Sequence, residues 1–304
     1  MKKKHYTPDI QILKGKFRLP PPIPKIYKKP KKVVVFDLDE TLGSFSDLFI
    51  LWSGIQHICP KFDAFNELLD TYPEFLRYGI LAILQYIYQQ KQNGECYKIF
   101  IYTNNQCSKA WVHHISEYFK YKLSIPQNKL LFDQNICAFK IGNQPIELSR
   151  TSHQKTHNDF ISCTLIPRTA EVCFVDDMEY SQMKQDKIYY IRPRPYIHGL
   201  TIREILDRFY KNIPFGYYCE NNEDLLKSPE YWENWFLLNG RKDGGVSPRN
   251  LCVDIEVSKK IMFSIKEFFL LTTYYESKMK QKAKYTRKKS DVAGFAKTRR
   301  QICF

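Results

Sequence analysis

The chain has 304 residues and a formal net charge of +15 at pH 7, with 43% hydrophobic and 15% aromatic residues. This composition excludes a disordered chain and provides enough apolar side chains for one large domain or two modest ones. The charged start is not followed by an apolar run, and no stretch of about eighteen apolar residues occurs anywhere. We therefore predict neither secretion nor a membrane span.

The positive charge is concentrated at the two ends of the chain. Residues 1–32 hold eleven Lys and Arg against Asp9 alone, a net +10, and residues 278–300 hold ten against Asp291 alone, a net +9. Residues 33–277 carry a net −4. Any affinity for a polyanion such as nucleic acid is thus expected of the basic ends, and the alternative is that both ends are solvated tails.

Nine cysteines are scattered along the sequence without a C-x-x-C pair. Their spacing indicates neither a zinc site nor a disulfide framework. We expect reduced thiols in an intracellular compartment, either cytoplasmic or nuclear. The abundance of Lys, Ile, Tyr, Phe and Asn is typical of an AT-rich genome such as that of a large DNA virus.

Residues 20–30 contain five prolines. Because proline disfavours both helix and sheet pairing, residues 1–32 are predicted to form an extended basic arm. The folded part is expected to begin near Val33.

Apolar runs that are typical of buried strands recur along residues 33–212, at 33–36, 97–102, 172–175 and 188–191. Helices are predicted between them, one ended by a left-handed Gly94, one capped by Ser108, and one begun by a Thr201 and Glu204 capping box. Strands that alternate with helices, each strand almost entirely apolar, predict an α/β fold with a doubly wound parallel sheet.

Two regions depart from this alternation. The apolar segments 130–132, 136–139 and 145–148 predict a small hairpin insertion, with its turn at Gly142. Residues 213–304 are predicted to be a mainly helical C-terminal extension with a basic tail. This extension is either a small appended domain or a helix packed on the main body, and its Trp232 and Trp235 are expected to serve as core.

Acidic and hydroxyl side chains follow three of the predicted strands: Asp37 and Asp39, Thr103, and Asp176 and Asp177. The carboxyl ends of parallel strands share one edge of the sheet, so these side chains should meet. Like charges ~4 Å apart cost about 4 kcal/mol per pair at an effective dielectric near 20, so a cation is required. Hard oxygen ligands without His or Cys select Mg²⁺.

The D-x-D-x-T spacing of residues 37–41 favours phosphoryl transfer. Asp37, held ionised, can attack phosphorus, and Asp39, with its pKa raised by anionic neighbours, can act as acid and then as base. Thr103 offers a hydroxyl to a phosphoryl oxygen, and a lysine is expected to neutralise the charge of the transition state.

These motifs resemble those of the haloacid dehalogenase (HAD) superfamily of aspartyl-phosphate phosphotransferases. Residues 37–41 match its first motif, Thr103 the second and residues 176–177 the fourth. We assign the third motif to Lys155. Lys140 and Arg150 are nearby alternatives to this lysine. The D-L-D-E-T-L run, the insertion before the lysine and the paired aspartates are similar to the branch that includes the RNA polymerase II C-terminal-domain phosphatases.

The resemblance implies a Mg²⁺-dependent phosphatase of phosphate monoesters. It implies Asp37 as nucleophile and metal ligand, Asp39 as acid/base with its backbone carbonyl on the metal, and Asp177 as a further ligand. Asp176 is either a supporting residue or a water-mediated ligand.

Substrate contacts are expected from Thr41, Asn104 and Arg77. No large cap domain is evident, which favours a macromolecular substrate such as a phosphoserine or phosphothreonine peptide. The alternatives are a nucleic-acid end phosphatase and a non-catalytic HAD-fold module that binds nucleic acid through its basic ends. The sequence departs from the branch where Y-T-N-N stands for its usual Thr-Ala-Ser, and where Tyr78 follows Arg77 in place of proline.

Overall fold

The computed structural model describes residues 9–20, 29–212, 223–241 and 250–273. Eight strands lie within these ranges: β1 Ile10–Leu13, β2 Lys32–Phe36, β3 Lys98–Tyr102, β4 Gln134–Ile136, β5 Lys140–Ile141, β6 Gln144–Pro145, β7 Glu171–Val175 and β8 Ile188–Pro193. Six of them form one sheet in the order β1-β8-β7-β2-β3-β4, and β5 pairs with β6 in a separate hairpin. All neighbours in the large sheet are parallel except β1 and β8.

The described helices are α1 Ser46–Ile58, α2 Phe65–Asp70, α3 Ile80–Gln92, α4 Lys109–Lys122, α5 His157–Thr164, α6 Ile202–Asn212, α7 Glu223–Leu226, α8 Pro229–Leu238 and α9 Leu251–Leu270. None of them is both long and apolar enough to cross a membrane.

The large sheet is covered on both faces. Val34 and Phe36 of β2 belong to one apolar core, and Val33 and Val35 belong to a second core that includes Phe160 of α5. This alternation follows from the two-residue period of a strand. The predicted α/β class with a mostly parallel sheet flanked by helices is therefore confirmed.

Several predicted helix ends are also present. Ser108 Oγ accepts a 3.0 Å hydrogen bond from Trp111 N at the start of α4. Thr201 and Glu204 bond reciprocally, with 2.8 Å from Thr201 N to Glu204 Oε2 and 3.2 Å from Glu204 N to Thr201 Oγ1. Gly94 follows α3 with a positive φ of 77°. These local signals need few tertiary contacts, which is why the sequence reveals them.

The prediction that the folded part begins near Val33 is wrong, because β1 extends the sheet from within the basic arm. Ile12 pairs with Ile191 in antiparallel register. An edge strand pairs on one side only, and edge strands are often as short as the four residues of β1. Residues 1–8 and 21–28 of the predicted arm lie outside the described residues.

The predicted hairpin insertion is partly correct. Its turn at Gly142 joins β5 to β6, and Gly142 has a φ of 56°. The segment around Leu131 and Phe132 forms no strand and instead buries both side chains in the larger core. Directly after it, β4 pairs in parallel with β3 and lengthens the main sheet.

The described part of the C-terminal extension packs on the main body. Trp232 is fully buried, and Ile265 and Phe268 of α9 belong to the same core as β2. Trp235 is half-buried and donates a 2.9 Å hydrogen bond from Nε1 to Ile50 O. The alternative of a helix packed on the main body is the correct one. Residues 213–222, 242–249 and the basic tail from 274 onward lie outside the described residues.

One cysteine differs from the expectation of reduced thiols. Cys59 is disulfide-bonded. The other described cysteines are free: Cys96, Cys107, Cys137, Cys163, Cys173 and Cys252. Spacing alone could not reveal this bond.

Candidate active site

Adjacent parallel strands bring the predicted aspartates together. Phe36 of β2 is in register with Val175 of β7, so the residue after each strand reaches the same edge of the sheet. Asp37 N donates a 2.9 Å hydrogen bond to Val175 O, which fixes this end of β2. Asp37, Asp176 and Asp177 each place one carboxylate oxygen within 4.8 Å of the others. The acidic cluster predicted from the sequence therefore forms.

Lys155 lies in the middle of this cluster. Its Nζ is 2.5 Å from Asp37 Oδ1 and 2.6 Å from Asp176 Oδ2, and only 1% of the residue is exposed. The lysine directly precedes Thr156, whose hydroxyl caps α5 by accepting a 2.9 Å bond from Asp159 N. The helix start thus fixes the position of the lysine.

The charge of Lys155 is set by two opposing effects. Burial lowers its pKa, but the nearby carboxylates of Asp176 and Asp37 raise it by a larger amount. The pKa of Lys155 is therefore above its ordinary value. Lys155 therefore keeps its proton. Neither Lys140, in the hairpin strand β5, nor Arg150 makes these contacts.

Thr41 orients Asp177. Its hydroxyl donates a 2.9 Å bond to Asp177 Oδ1 and accepts a 3.0 Å bond from Asp177 N. Because Thr41 is buried and both bonds go to one residue, its role is to position that carboxylate. The predicted substrate contact of Thr41 stays a prediction.

The two neighbouring aspartates differ in their hydrogen bonds. Both oxygens of Asp176 accept bonds, from Lys155 Nζ and from Met178 N at 2.9 Å. Asp177 accepts one from Thr41 on Oδ1, and among the described residues its Oδ2 accepts none. Asp177 is accordingly better placed to offer an oxygen to a metal, in line with the sequence-based preference for it over Asp176.

Asp39 is held by a residue that the sequence did not single out. Asn105 Nδ2 donates a 2.8 Å bond to Asp39 Oδ2, and Asn105 N donates a 3.0 Å bond to the hydroxyl of Thr103. Burial raises the pKa of Asp39 to about 7, the hydrogen bond from Asn105 lowers it, and the charge of Asp37 raises it again. A carboxyl with this pKa can both donate and accept a proton near neutral pH.

Arg150 fixes the loop after β3. Its guanidinium donates to Thr103 O at 2.9 Å, to Cys137 O at 2.8 Å and to Asn104 Oδ1 at 2.7 Å. Asn104 Nδ2 in turn donates to His153 O at 2.8 Å. Oδ1 and Nδ2 of Asn104 thus make bonds within the protein that support this loop, and its substrate contact stays a prediction.

Arg77 supports the loop between Asp39 and Thr41. Its Nε donates a 2.6 Å bond to Thr41 O, and its Nη2 donates to the carbonyls of Glu40 and Arg194. Arg77 is 3% exposed, and burial lowers its pKa to about 10. The guanidinium thus serves three carbonyl groups of the protein, and the substrate contact of Arg77 stays a prediction.

The bonds from Arg77 hold an unfavourable backbone conformation. Glu40 has a φ of 57°, which is uncommon for a residue other than glycine. Its carbonyl also accepts a 2.9 Å bond from Tyr196 N. This backbone turn lies between the carboxylate of Asp39 and the hydroxyl of Thr41.

The donor set of the cluster fits a hard divalent cation. The three clustered carboxylates face a single buried ammonium group, so negative charge is in excess. Burial and the charge of Asp37 raise the pKa of Asp177 to about 6. Oxygen ligands without nitrogen or sulfur suit Mg²⁺, which relieves this repulsion.

Comparisons with known proteins add no assignment. No family model matches this chain, and neither curated proteins nor solved structures give a match. The evidence for the chemistry of this site consequently lies in its own residues.

Proposed function

We propose that this protein hydrolyses phosphate monoesters with the help of Mg²⁺, through an aspartyl-phosphate on Asp37. The observation that carries the proposal is the position of Lys155, whose Nζ lies within 2.6 Å of both Asp37 and Asp176 beside the carboxylate of Asp177. A buried cation between two carboxylates, with a third alongside, is expected of a site that collects phosphoryl oxygens around a nucleophile.

In the first proposed step, an oxygen of Asp37 forms a bond to phosphorus and the bond from phosphorus to the ester oxygen breaks. Asp39 gives its proton to the departing oxygen, which leaves as an alcohol. In the second step Asp39 takes a proton from water, the water oxygen bonds to phosphorus, and the bond to Asp37 breaks. Inorganic phosphate leaves and both aspartates return to their initial states.

Asp37, Asp177 and the backbone of Asp39 would hold the Mg²⁺, with Asp176 in support. When bound, the ion supplies positive charge to the phosphoryl oxygens and reduces the repulsion between the carboxylates. Lys155, whose Nζ contacts Asp37 and Asp176, would add a second positive charge. Thr103 is 1% exposed, and its hydroxyl is held by Asn105 N at the edge of the site.

The resemblance to the C-terminal-domain phosphatases supports phosphoserine or phosphothreonine in a peptide as the substrate. A terminal phosphate on nucleic acid is the competing substrate of the same chemistry. Turnover of a phosphopeptide and of 3′- and 5′-phosphorylated oligonucleotides, each in Mg²⁺ and in EDTA, distinguishes them.

The decisive experiment is to trap the intermediate. Acid quenching during turnover of a radiolabelled monoester is expected to leave phosphate on the wild-type chain, released by hydroxylamine as an acyl phosphate is. Asp37→Asn should abolish both the label and turnover. Asp63→Asn, which changes an exposed aspartate, is the matched control and should retain both. Absence of Mg²⁺-dependent turnover on every monoester class would contradict the proposal and favour a non-catalytic binding module.

A further inference from the structure

A recess lies at the end of the sheet opposite the acidic cluster. It has a volume of about 470 Å³ and is bordered by the starts of β2 and β3 and by the end of α9. Four lysines line it, namely Lys29, Lys31, Lys32 and Lys91, against Glu95 as the one acidic residue among the lining residues. The recess is therefore positively charged.

Two of these lysines are fixed parts of the wall. Lys32 Nζ is 2.9 Å from the buried carboxylate of Glu171, and Lys91 Nζ is 2.7 Å from Asp133. Their charges are largely compensated. The charge available to a ligand thus comes chiefly from the other two lysines.

Lys29 and Lys31 present their ammonium groups to the recess. The side chain of Lys29 is 77% exposed and its Nζ is 3.8 Å from Glu95. Lys31 Nζ lies 3.6 Å from the centre of the Tyr97 ring, which holds this ammonium group at the wall. Lys98 Nζ is also near this ring, at 5.6 Å from its centre. An anionic ligand would meet several cations within one small area.

Described residues from the N-terminal arm and from the end of α9 meet beside this recess. Arg18, from the N-terminal arm, and Thr272, just after α9, exchange backbone hydrogen bonds of 3.1 and 2.9 Å. Pro20 and Thr272 both line the recess. The arm carries a net +10 over residues 1–32, and the chain continues after Thr272 into residues 278–300 with a net +9. Two described residues from opposite ends of the sequence, Pro20 and Thr272, thus adjoin one site.

We propose that this recess binds the phosphate backbone of a nucleic acid. Lysine ammonium groups act as point charges that bind phosphate groups. The lysines line a concave surface, which a phosphodiester chain can enter and a flat bilayer cannot. Closely spaced phosphates also match a recess that is lined by four lysines.

This site is separate from the proposed phosphatase chemistry. Lys32 and Asp37 lie at opposite ends of β2, and five steps of about 3.3 Å separate them by about 16 Å. A strand bound at the recess therefore leaves the acidic cluster accessible. Binding of nucleic acid is expected to persist in Asp37→Asn, and saturating oligonucleotide should leave turnover of a small monoester unchanged.

The test is the salt dependence of binding to a fluorescent single-stranded oligonucleotide, measured by anisotropy on the full chain. Each lost phosphate contact reduces the slope of log K against log salt by about 0.7. Lys29→Gln with Lys31→Gln should reduce the slope by about 1.4. The exposed pair Lys61→Gln with Lys211→Gln is the matched control and should leave the slope unchanged. Identical thermal melts for all proteins establish that folding is intact.

Two outcomes would overturn the proposal. The first is an unchanged slope in the Lys29 and Lys31 double variant, which would place any binding in the basic segments alone. The second concerns phosphatidylserine vesicles, which serve as the alternative probe. If the double variant loses affinity for vesicles but keeps its affinity for the oligonucleotide, the recess faces a membrane.

Discussion

Asn105 and Asp39 are joined by a 2.8 Å hydrogen bond between the loops that follow β3 and β2. Because the same asparagine also donates its backbone N–H to Thr103, it links the proposed acid/base to the hydroxyl at the end of the neighbouring strand. A shift of either loop would change the position of Asp39 relative to Asp37. Asn105 is thus a positioning residue of the proposed site.

Substitution of Asn105 should alter the pH profile of the proposed phosphatase. A donor bonded to a carboxylate stabilises its charged form, so Asn105→Ala removes an interaction that lowers the pKa of Asp39. The protonated form of Asp39 then persists to higher pH. We expect the alkaline limb of the kcat/KM profile to move to higher pH, and maximal turnover to fall by about tenfold or more.

The control for this variant is Gln106→Ala. Gln106 is the exposed next residue, and its side chain donates to the backbone carbonyl of Asn104. Its removal should leave the alkaline limb in place. An alkaline limb that is unchanged, or that moves to lower pH, in Asn105→Ala would contradict the assigned role.

Removal of Mg²⁺ should destabilise the protein more at pH 8 than at pH 5.5. Without metal, the pKa values of Asp177 and Asp39 are raised to about 6 and about 7. The folded state therefore binds more protons than the unfolded state between about pH 4 and pH 7, and the free energy of unfolding falls as pH rises through this window. Above it, the carboxylate of Asp177 is charged and available to the metal.

Thermal melts in Mg²⁺ and in EDTA measure this effect. A ligand at 100 times its Kd adds about 2.7 kcal/mol to the free energy of unfolding, which corresponds to several degrees in Tm for a chain of this size. We expect a Mg²⁺ shift of this order at pH 8 and a smaller one at pH 5.5. Asp177→Asn should remove most of the shift at pH 8. A shift that is equal at both pH values would argue against these carboxylates as ligands.

Replacement of Arg77 tests whether its buried guanidinium maintains the active-site loop. Arg77→Lys keeps the charge but cannot serve the carbonyls of Glu40, Thr41 and Arg194 together. Unpaired buried carbonyls should lower the free energy of unfolding by about 2 kcal/mol. Displacement of the loop that carries Asp39 should lower kcat by up to about 100-fold.

Urea unfolding and steady-state kinetics on Arg77→Lys give both quantities. Arg203→Lys is the matched control, because the side chain of Arg203 is 91% exposed and its ion pair with Asp207 is long, at 3.9 Å. An increase in KM alone, with kcat and the urea midpoint unchanged, would instead indicate that Arg77 binds the substrate directly.

Local signals explain which parts of this structure were predictable. Apolar runs, polar residues at strand ends and helix caps depend on neighbours in sequence, so the central strands and the acidic cluster with Lys155 follow from the sequence. The bonds of Asn105, Arg150 and Arg77 depend on loops that meet only in the folded chain. For the same reason β1 was missed, since its pairing partner β8 lies more than 170 residues later.

Helix α9 is fixed to the sheet by a buried ion pair, and its removal should lower the free energy of unfolding. Glu171 is fully buried and accepts bonds from Lys32 Nζ at 2.9 Å and from Thr272 Oγ1 at 2.7 Å. Lys32 also donates to Phe268 O at 2.8 Å and so satisfies a carbonyl at the end of α9. Burial lowers the pKa of Lys32, and the carboxylate of Glu171 opposes this effect.

Glu171→Ala would leave Lys32 buried without its counter-charge, and the free energy of unfolding should fall by about 3–5 kcal/mol. Amide hydrogen exchange should show that α9 loses protection before β2 and β7 do. Glu256→Ala is the matched control on the same helix, because it removes an exposed pair with Lys259 and should change stability by less than about 1 kcal/mol. If α9 keeps its protection in Glu171→Ala, apolar packing of Ile265 and Phe268 alone holds the helix on the sheet.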